Sequence, residues 1–94
     1  MERLRNRMTE LSFETREAKE CTVATGEICM VSEYRKHLQT INGKQFDVIV
    51  FISENESNQY ANVLYFNGNQ HNVCMTTEAR AIASLEAILE MVGA

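Results

Sequence analysis

The run Phe46-Asp-Val-Ile-Val-Phe-Ile52 constrains this chain more than any other feature, because it is apolar on both faces of any strand it forms. Side chains alternate along a strand, so Phe46, Val48, Val50 and Ile52 point one way while Ile49 and Phe51 point the other. Such a strand needs cover on both sides. The run from Tyr60 to Asn67 repeats the pattern, with Tyr60, Leu64 and Phe66 set against Ala61, Val63 and Tyr65. A third run, Asn72 to Met75, follows the turn at Asn67-Gly68-Asn69, and the polar loop from Glu54 to Gln59 joins the first two. Together they predict a three-stranded antiparallel meander.

A helix is predicted from about 77 to 92. Thr76 or Thr77 caps it, Glu78 sits at its positive end, and Ile82, Leu85, Leu89 and Val92 recur at helical spacing until Gly93. Ala79, Ala81, Ala83, Ser84 and Ala87 let its backbone lie close to a sheet. Residues 27 to 41 read two ways. Ile28-Cys-Met-Val31 favours a strand, but Ile28, Val31, Tyr34, Leu38 and Ile41 form a helical stripe ending at Asn42-Gly43, and helix is the reading adopted. Within the first twenty residues, Leu4, Met8 and Leu11 fit a helix, whereas Leu11, Phe13 and Thr15 alternate as a strand running toward Cys21-Thr-Val23.

The expected fold is therefore α+β: a small antiparallel sheet of three or four strands, a C-terminal helix and a second helix, in the order α-β-β-β-α over residues 27–92. At 94 residues and 10.7 kDa, with 45% hydrophobic and 23% charged residues and no proline, the chain reads as one domain over residues 1–94. Residues 1–20 are expected as a loosely attached segment. No stretch approaches ~18 consecutive apolar residues and no apolar run follows the charges at the N-terminus, so neither a membrane span nor a secretory signal is expected. Three cysteines, Cys21, Cys29 and Cys74, lack CxxC spacing, which points to reduced thiols in a cytoplasm.

The net charge of −4 is unevenly placed. Of nine basic residues only Arg80 follows residue 45, where it stands among six acids. That back half is a poor electrostatic footprint for nucleic acid, and strong binding is not expected.

Several constellations invite chemistry. His71-x-x-Cys74 has metal-ligand residue types, with Cys21, Cys29 and His37 as further donors, but on a strand an odd separation sends the two side chains to opposite faces. Cys74 is expected to be a buried small hydrophobe, and no metal or cofactor is expected. Glu54-Asn-Glu56 offers oxygens in a polar loop, without the ligand register or central glycine of a calcium loop.

The helix, three strands, helix order and the segment Thr77-Glu-Ala-Arg80-Ala-Ile-Ala-Ser84 resemble double-stranded-RNA-binding domains. That resemblance implies a vestigial RNA-binding module. The paired lysines of the family are Thr76 and Thr77 here, so only Arg80 carries over as a phosphate contact. The strands and following helix also resemble the opening of ribonuclease-H-like folds, with Glu54 and Glu78 in roughly matching places, which implies a metal-dependent nuclease as a further alternative.

The functional expectation is a non-enzymatic protein-interaction module, such as a small accessory or inhibitor protein of a phage or mobile element that binds a host protein. One sheet face stays open beyond the C-terminal helix, and Ile49, Phe51, Val63 and Tyr65 are the expected docking residues. The opposite residue set is the alternative free face; a homodimer is the simplest cover, and the alternative is that residues 1 to 25 fold back over that face to leave a closed monomer.

Overall fold

The computed structural model describes the backbone of residues 1–39, 43–66 and 70–91, and the side chains of these apart from residues 66, 70–75 and 91. Seven elements follow in order: α1 (Glu2–Glu10), β1 (Glu14–Thr22), β2 (Ile28–Gln39), β3 (Gln45–Glu54), β4 (Gln59–Phe66), β5 (Gln70–Thr76) and α2 (Glu78–Met91). The strands form one antiparallel meander in sequence order. The fold is α+β, with the expected C-terminal helix in place. Thr77 begins α2: its Oγ1 accepts the Arg80 amide at 3.4 Å and its carbonyl accepts the Ala81 amide at 2.9 Å.

The described part of residues 27–41 does not form the expected helix, and residues 40 and 41 lie outside the described residues. The described part supplies β2, a 12-residue strand, in the stretch Ile28–Gln39. The reason is non-local: β3 is apolar on both faces and has two edges of backbone N–H and C=O groups to satisfy. β4 fills one edge, and β2 fills the other from Met30↔Glu54 to Gln39↔Gln45. Isolated residues 27–41 have a usable helical stripe, but pairing with β3 overrides it. The second helix is instead α1, and both readings of the N-terminal segment hold in succession. Leu4 and Met8 lie on the buried side of α1, and a turn through Ser12, at φ 61°, leads into β1. The order becomes α-β-β-β-β-β-α, which departs from the arrangement shared with double-stranded-RNA-binding domains.

Both helices pack on the same face of the sheet. Leu4 and Met8 from α1, with Ala81, Leu85 and Ile88 from α2, bury Tyr34, Val48, Val50, Ile52, Ala61 and Val63. Polar clasps hold α1 there. Arg7 forks onto Glu86, with Nη2 donating to Oε2 at 3.1 Å, and Arg5 pairs with Glu54 while its Nε donates to the Tyr34 hydroxyl at 3.3 Å. At the far end of β2 the sheet outruns the helices, leaving Ile28 and Met30 60% and 47% exposed. The outer strand β1 is exposed along its whole length and rich in charge, the usual protection of a sheet edge.

Candidate functional site: the uncovered sheet face

Strand register decides which residues share the face away from the helices. Ile49 pairs with Arg35 and Leu64, and Phe51 with Glu33 and Asn62, so these six lie on one side. Cys29, Val31, His37, Asp47, Ser53 and Tyr60 join them by alternation, and Arg16, Lys19 and Cys21 do so across the β1–β2 ladder. Val63 pairs with Val50 and Tyr65 with Val48, which places both on the helix-covered face. The expected docking set is therefore divided: Ile49 and Phe51 belong to the open face, while Val63 is fully buried beneath the helices and Tyr65 packs against the core. Four residues separate the paired Glu54 and Gln59, so odd positions of β3 meet even positions of β4.

On the open face Ile49 is only 7% exposed, and Val31, Phe51 and Leu64 are half-buried. Arg16 reaches across to Glu33, with 3.2 Å between Nε and Oε2, and beside them runs a shallow groove lined by Arg16, Lys19, Cys21, Val31, Glu33 and Phe51. A β-bulge between Arg16 and Lys19 interrupts the β1–β2 ladder at the groove's rim.

One end of the face is closed by a polar node centred on Glu27, which sequence reasoning missed. Asn55 Nδ2 donates to its Oε2 at 2.8 Å, the Tyr60 hydroxyl to Oε1 at 2.8 Å, and Asn58 Nδ2 to both oxygens at 3.2 and 3.1 Å. These donors favour the carboxylate, so the Glu27 pKa falls below its ordinary value, Asn55 contributing most; the Tyr60 phenol is raised chiefly by its hydrogen bond to Glu27. Asn55 Oδ1 also accepts the Ser57 and Asn58 amides, both at 2.8 Å. The 54–59 loop is thereby folded on itself and pinned to the β1–β2 hairpin, which is what its dense Asn and Gln content provides.

The carboxylates singled out for metal chemistry are engaged elsewhere. Glu54 holds Arg5 and accepts Gln59 Nε2 at 3.1 Å. Glu78 accepts the Leu4 amide at 3.2 Å and lies 3.4 Å from the Met1 ammonium, so it caps α1 as well as opening α2. Its pKa is lowered, first by that amide. His37 Nδ1 meets Asp47 Oδ1 at 2.9 Å on the opposite strand. Cys29 lies eight positions from His37 along β2, roughly 26 Å, so the two cannot share a ligand. The side chains of His71 and Cys74 lie outside the described residues. Among the described residues no three of His, Cys, Asp or Glu group as metal donors, and no helix is long and apolar enough to cross a membrane.

No protein-family model, curated protein or solved structure matches the chain.

Proposed function

We propose that this chain is a non-enzymatic protein-interaction module that docks through its uncovered sheet face, and that a second copy of the chain is the occupant. The observation that carries the reading is the stacking of α1 and α2 on one face, which leaves Val31, Phe51 and Leu64 half-buried on the other. Charge supports self-docking. The chain carries −4, yet on this face the acids Glu14, Glu33 and Asp47 interleave with the bases Arg16, Lys19 and Arg35, so a two-fold-related copy can set base against acid. Size supports it too. Five strands spaced ~4.8 Å apart and about nine residues long present roughly 600 Å² in projection, near the ~800 Å² per partner of a standard interface. The odd number of cysteines without CxxC spacing supports a cytoplasmic setting.

Sedimentation equilibrium at ~100 μM tests the proposal on wild type and on Phe51→Glu, with circular dichroism to verify folding. The expected result is a dimer for wild type and a monomer of unchanged fold for the variant. A wild-type monomer at that concentration overturns self-docking. Capture of a host protein that is lost with Phe51→Glu would then mark the accessory or inhibitor form of the reading, and capture indifferent to Phe51 would remove the face from docking altogether.

A further inference from the structure

Cys21 and Cys29 stand directly opposite each other on β1 and β2, and both are free thiols, the first exposed and the second buried. Residues paired across a ladder share a face, so both belong to the open side of the sheet. The Val23 amide donates to the Glu27 carbonyl at 2.9 Å, and hydrogen-bonded pairs recur every second residue, so Cys21 and Cys29 occupy the next hydrogen-bonded pair along. Their Cα atoms are then about 5.5 Å apart, inside the ~4.4–6.8 Å range of a disulfide. At a hydrogen-bonded pair the facing Cβ atoms stand toward the upper end of the ~4.5–5.5 Å range, about 1 Å beyond the ~3.5–4.5 Å of a bridge, so closure draws the two strands together by about that much. Cys29 Sγ accepts Asn55 Nδ2 at 3.4 Å, an interaction on the β3 side of its strand, away from Cys21. Turning the sulfur to the β1 side needs one change of side-chain rotamer.

We propose that Cys21 and Cys29 form a cross-strand dithiol that is closed to a disulfide by low-molecular-weight disulfides of the oxidised-glutathione class. The exposed Cys21 thiolate attacks a sulfur of oxidised glutathione, forming a mixed disulfide and expelling one glutathione thiolate. The Cys29 thiolate then attacks the Cys21 sulfur, the Cys21–Cys29 bond forms, and the second glutathione thiolate leaves. The two protons lost by the cysteines end on the two glutathiones; the protein dithiol is oxidised and the small disulfide is reduced. The bridge lies in the groove beside Lys19, Val31 and Phe51, and the slight drawing together of the strands makes it readily reducible. This inference does not depend on what docks on the face.

The test uses the full chain carrying Cys74→Ser, incubated with oxidised glutathione, alkylated, cleaved after glutamate and read by mass spectrometry. Cleavage after Glu20, Glu27 and Glu33 puts Cys21 and Cys29 on separate peptides unless they are bridged. The expected product is the bridged pair, two hydrogens lighter, without retained glutathione and reopened by dithiothreitol. Adding Cys29→Ala should stop the reaction at a single glutathione adduct on Cys21. Stable glutathione adducts with no bridge in the folded Cys74→Ser chain, or wild-type chain in which either cysteine bridges only to Cys74, would overturn the proposal. Bridging that proceeds as fast in urea as in buffer overturns it as well, because the opposed strands would then contribute nothing.

Discussion

Adjacent residues of β3 should differ sharply in what their truncation does, because Ile52 faces the helices and Phe51 the open side. Ile52 is fully buried among Val50, Ala61 and Leu85 in the core cluster. Ile52→Ala removes three carbons, about 2.4 kcal/mol of transfer free energy at ~0.8 kcal/mol each. A cavity contribution follows because the surrounding structure relaxes only in part, and about 3–4 kcal/mol in all sits within the usual range for such changes. For a domain of this size each kcal/mol moves the melting temperature by about 4–8 °C, so a fall of roughly 12–30 °C is expected. Phe51 is half-buried in the single chain, and Phe51→Ala should remove only about 1 kcal/mol there, even though the phenyl group is the larger side chain. The assay is urea unfolding followed by circular dichroism at low micromolar protein, which minimises any contribution from self-association. Equal midpoint losses for the two variants at unchanged m-value would refute the reasoning, since Phe51 would then be as enclosed as Ile52 within one chain. At high concentration the Phe51→Ala deficit should grow if the face docks a second copy, and the Ile52→Ala deficit should not.

Glu86 has a lowered pKa because Arg7 holds its carboxylate, so in the folded state it ionises more readily than its ordinary value of 4.5. The stability it contributes is fully present above that value and is lost as pH falls through the folded pKa; urea midpoints measured from neutral to acid pH should therefore decline less steeply in Glu86→Gln than in wild type. Glu27→Gln removes the anion that raises the Tyr60 phenol, and ultraviolet titration should show Tyr60 ionising at lower pH than in wild type, while an unmoved Tyr60 would show that the hydrogen bond is not formed in solution. Gly26 adopts φ 87° with open space where a Cβ would stand, so Gly26→Ala should cost only the backbone strain of a left-handed alanine, about 1 kcal/mol in the urea midpoint. Gel shifts at ~150 mM salt should show no duplex RNA or DNA complex tighter than the ~10⁻⁴ to 10⁻⁶ M non-specific range, and loss of a nanomolar complex on Arg80→Ala would contradict this.

What could be read from the sequence follows the range over which each interaction acts. α2 and the three strands β3, β4 and β5 were legible because their periods are local: Ile82, Leu85 and Leu89 repeat as a helix, and the runs after Phe46 and Tyr60 carry apolar residues on both strand faces. β2 was not, since Ile28, Val31, Tyr34 and Leu38 satisfy a helical stripe equally well, and the deciding fact is the unfilled edge of β3. The polar node at Glu27 was hidden for the same reason, as its partners lie 28 to 33 residues away on another hairpin.

The face assignment shows how small a piece of missing information divides a site. Every strand was known to alternate, so the residues of β4 that accompany Ile49 and Phe51 depend only on whether the 54–59 loop holds an odd or even number of residues between paired positions. With four, Leu64 and Asn62 join them, and Val63 and Tyr65 turn toward the helices. In β1 the bulge between Arg16 and Lys19 shifts that alternation by one residue, so Arg16 opposite Glu33 and Cys21 opposite Cys29 come to share the face. The open face is thus assembled from positions that no local pattern links. Its apolar centre at Ile49 and Phe51 comes from β3, its interleaved charges come from the exposed edge hairpin and from Asp47 of β3, and its pair of thiols comes from a pairing between residues eight apart. A substitution that shifts register by one residue, such as deletion of a single residue from the 55–58 loop, would exchange the two faces of β4 against β3 and bury Asn62 in place of Val63. Such a deletion should abolish folding outright, whereas alanine replacement of the exposed Ser57, whose side chain makes none of the loop's hydrogen bonds to Asn55 or Glu27, should leave the midpoint nearly unchanged, and comparing the two by circular dichroism tests whether register alone holds the faces apart.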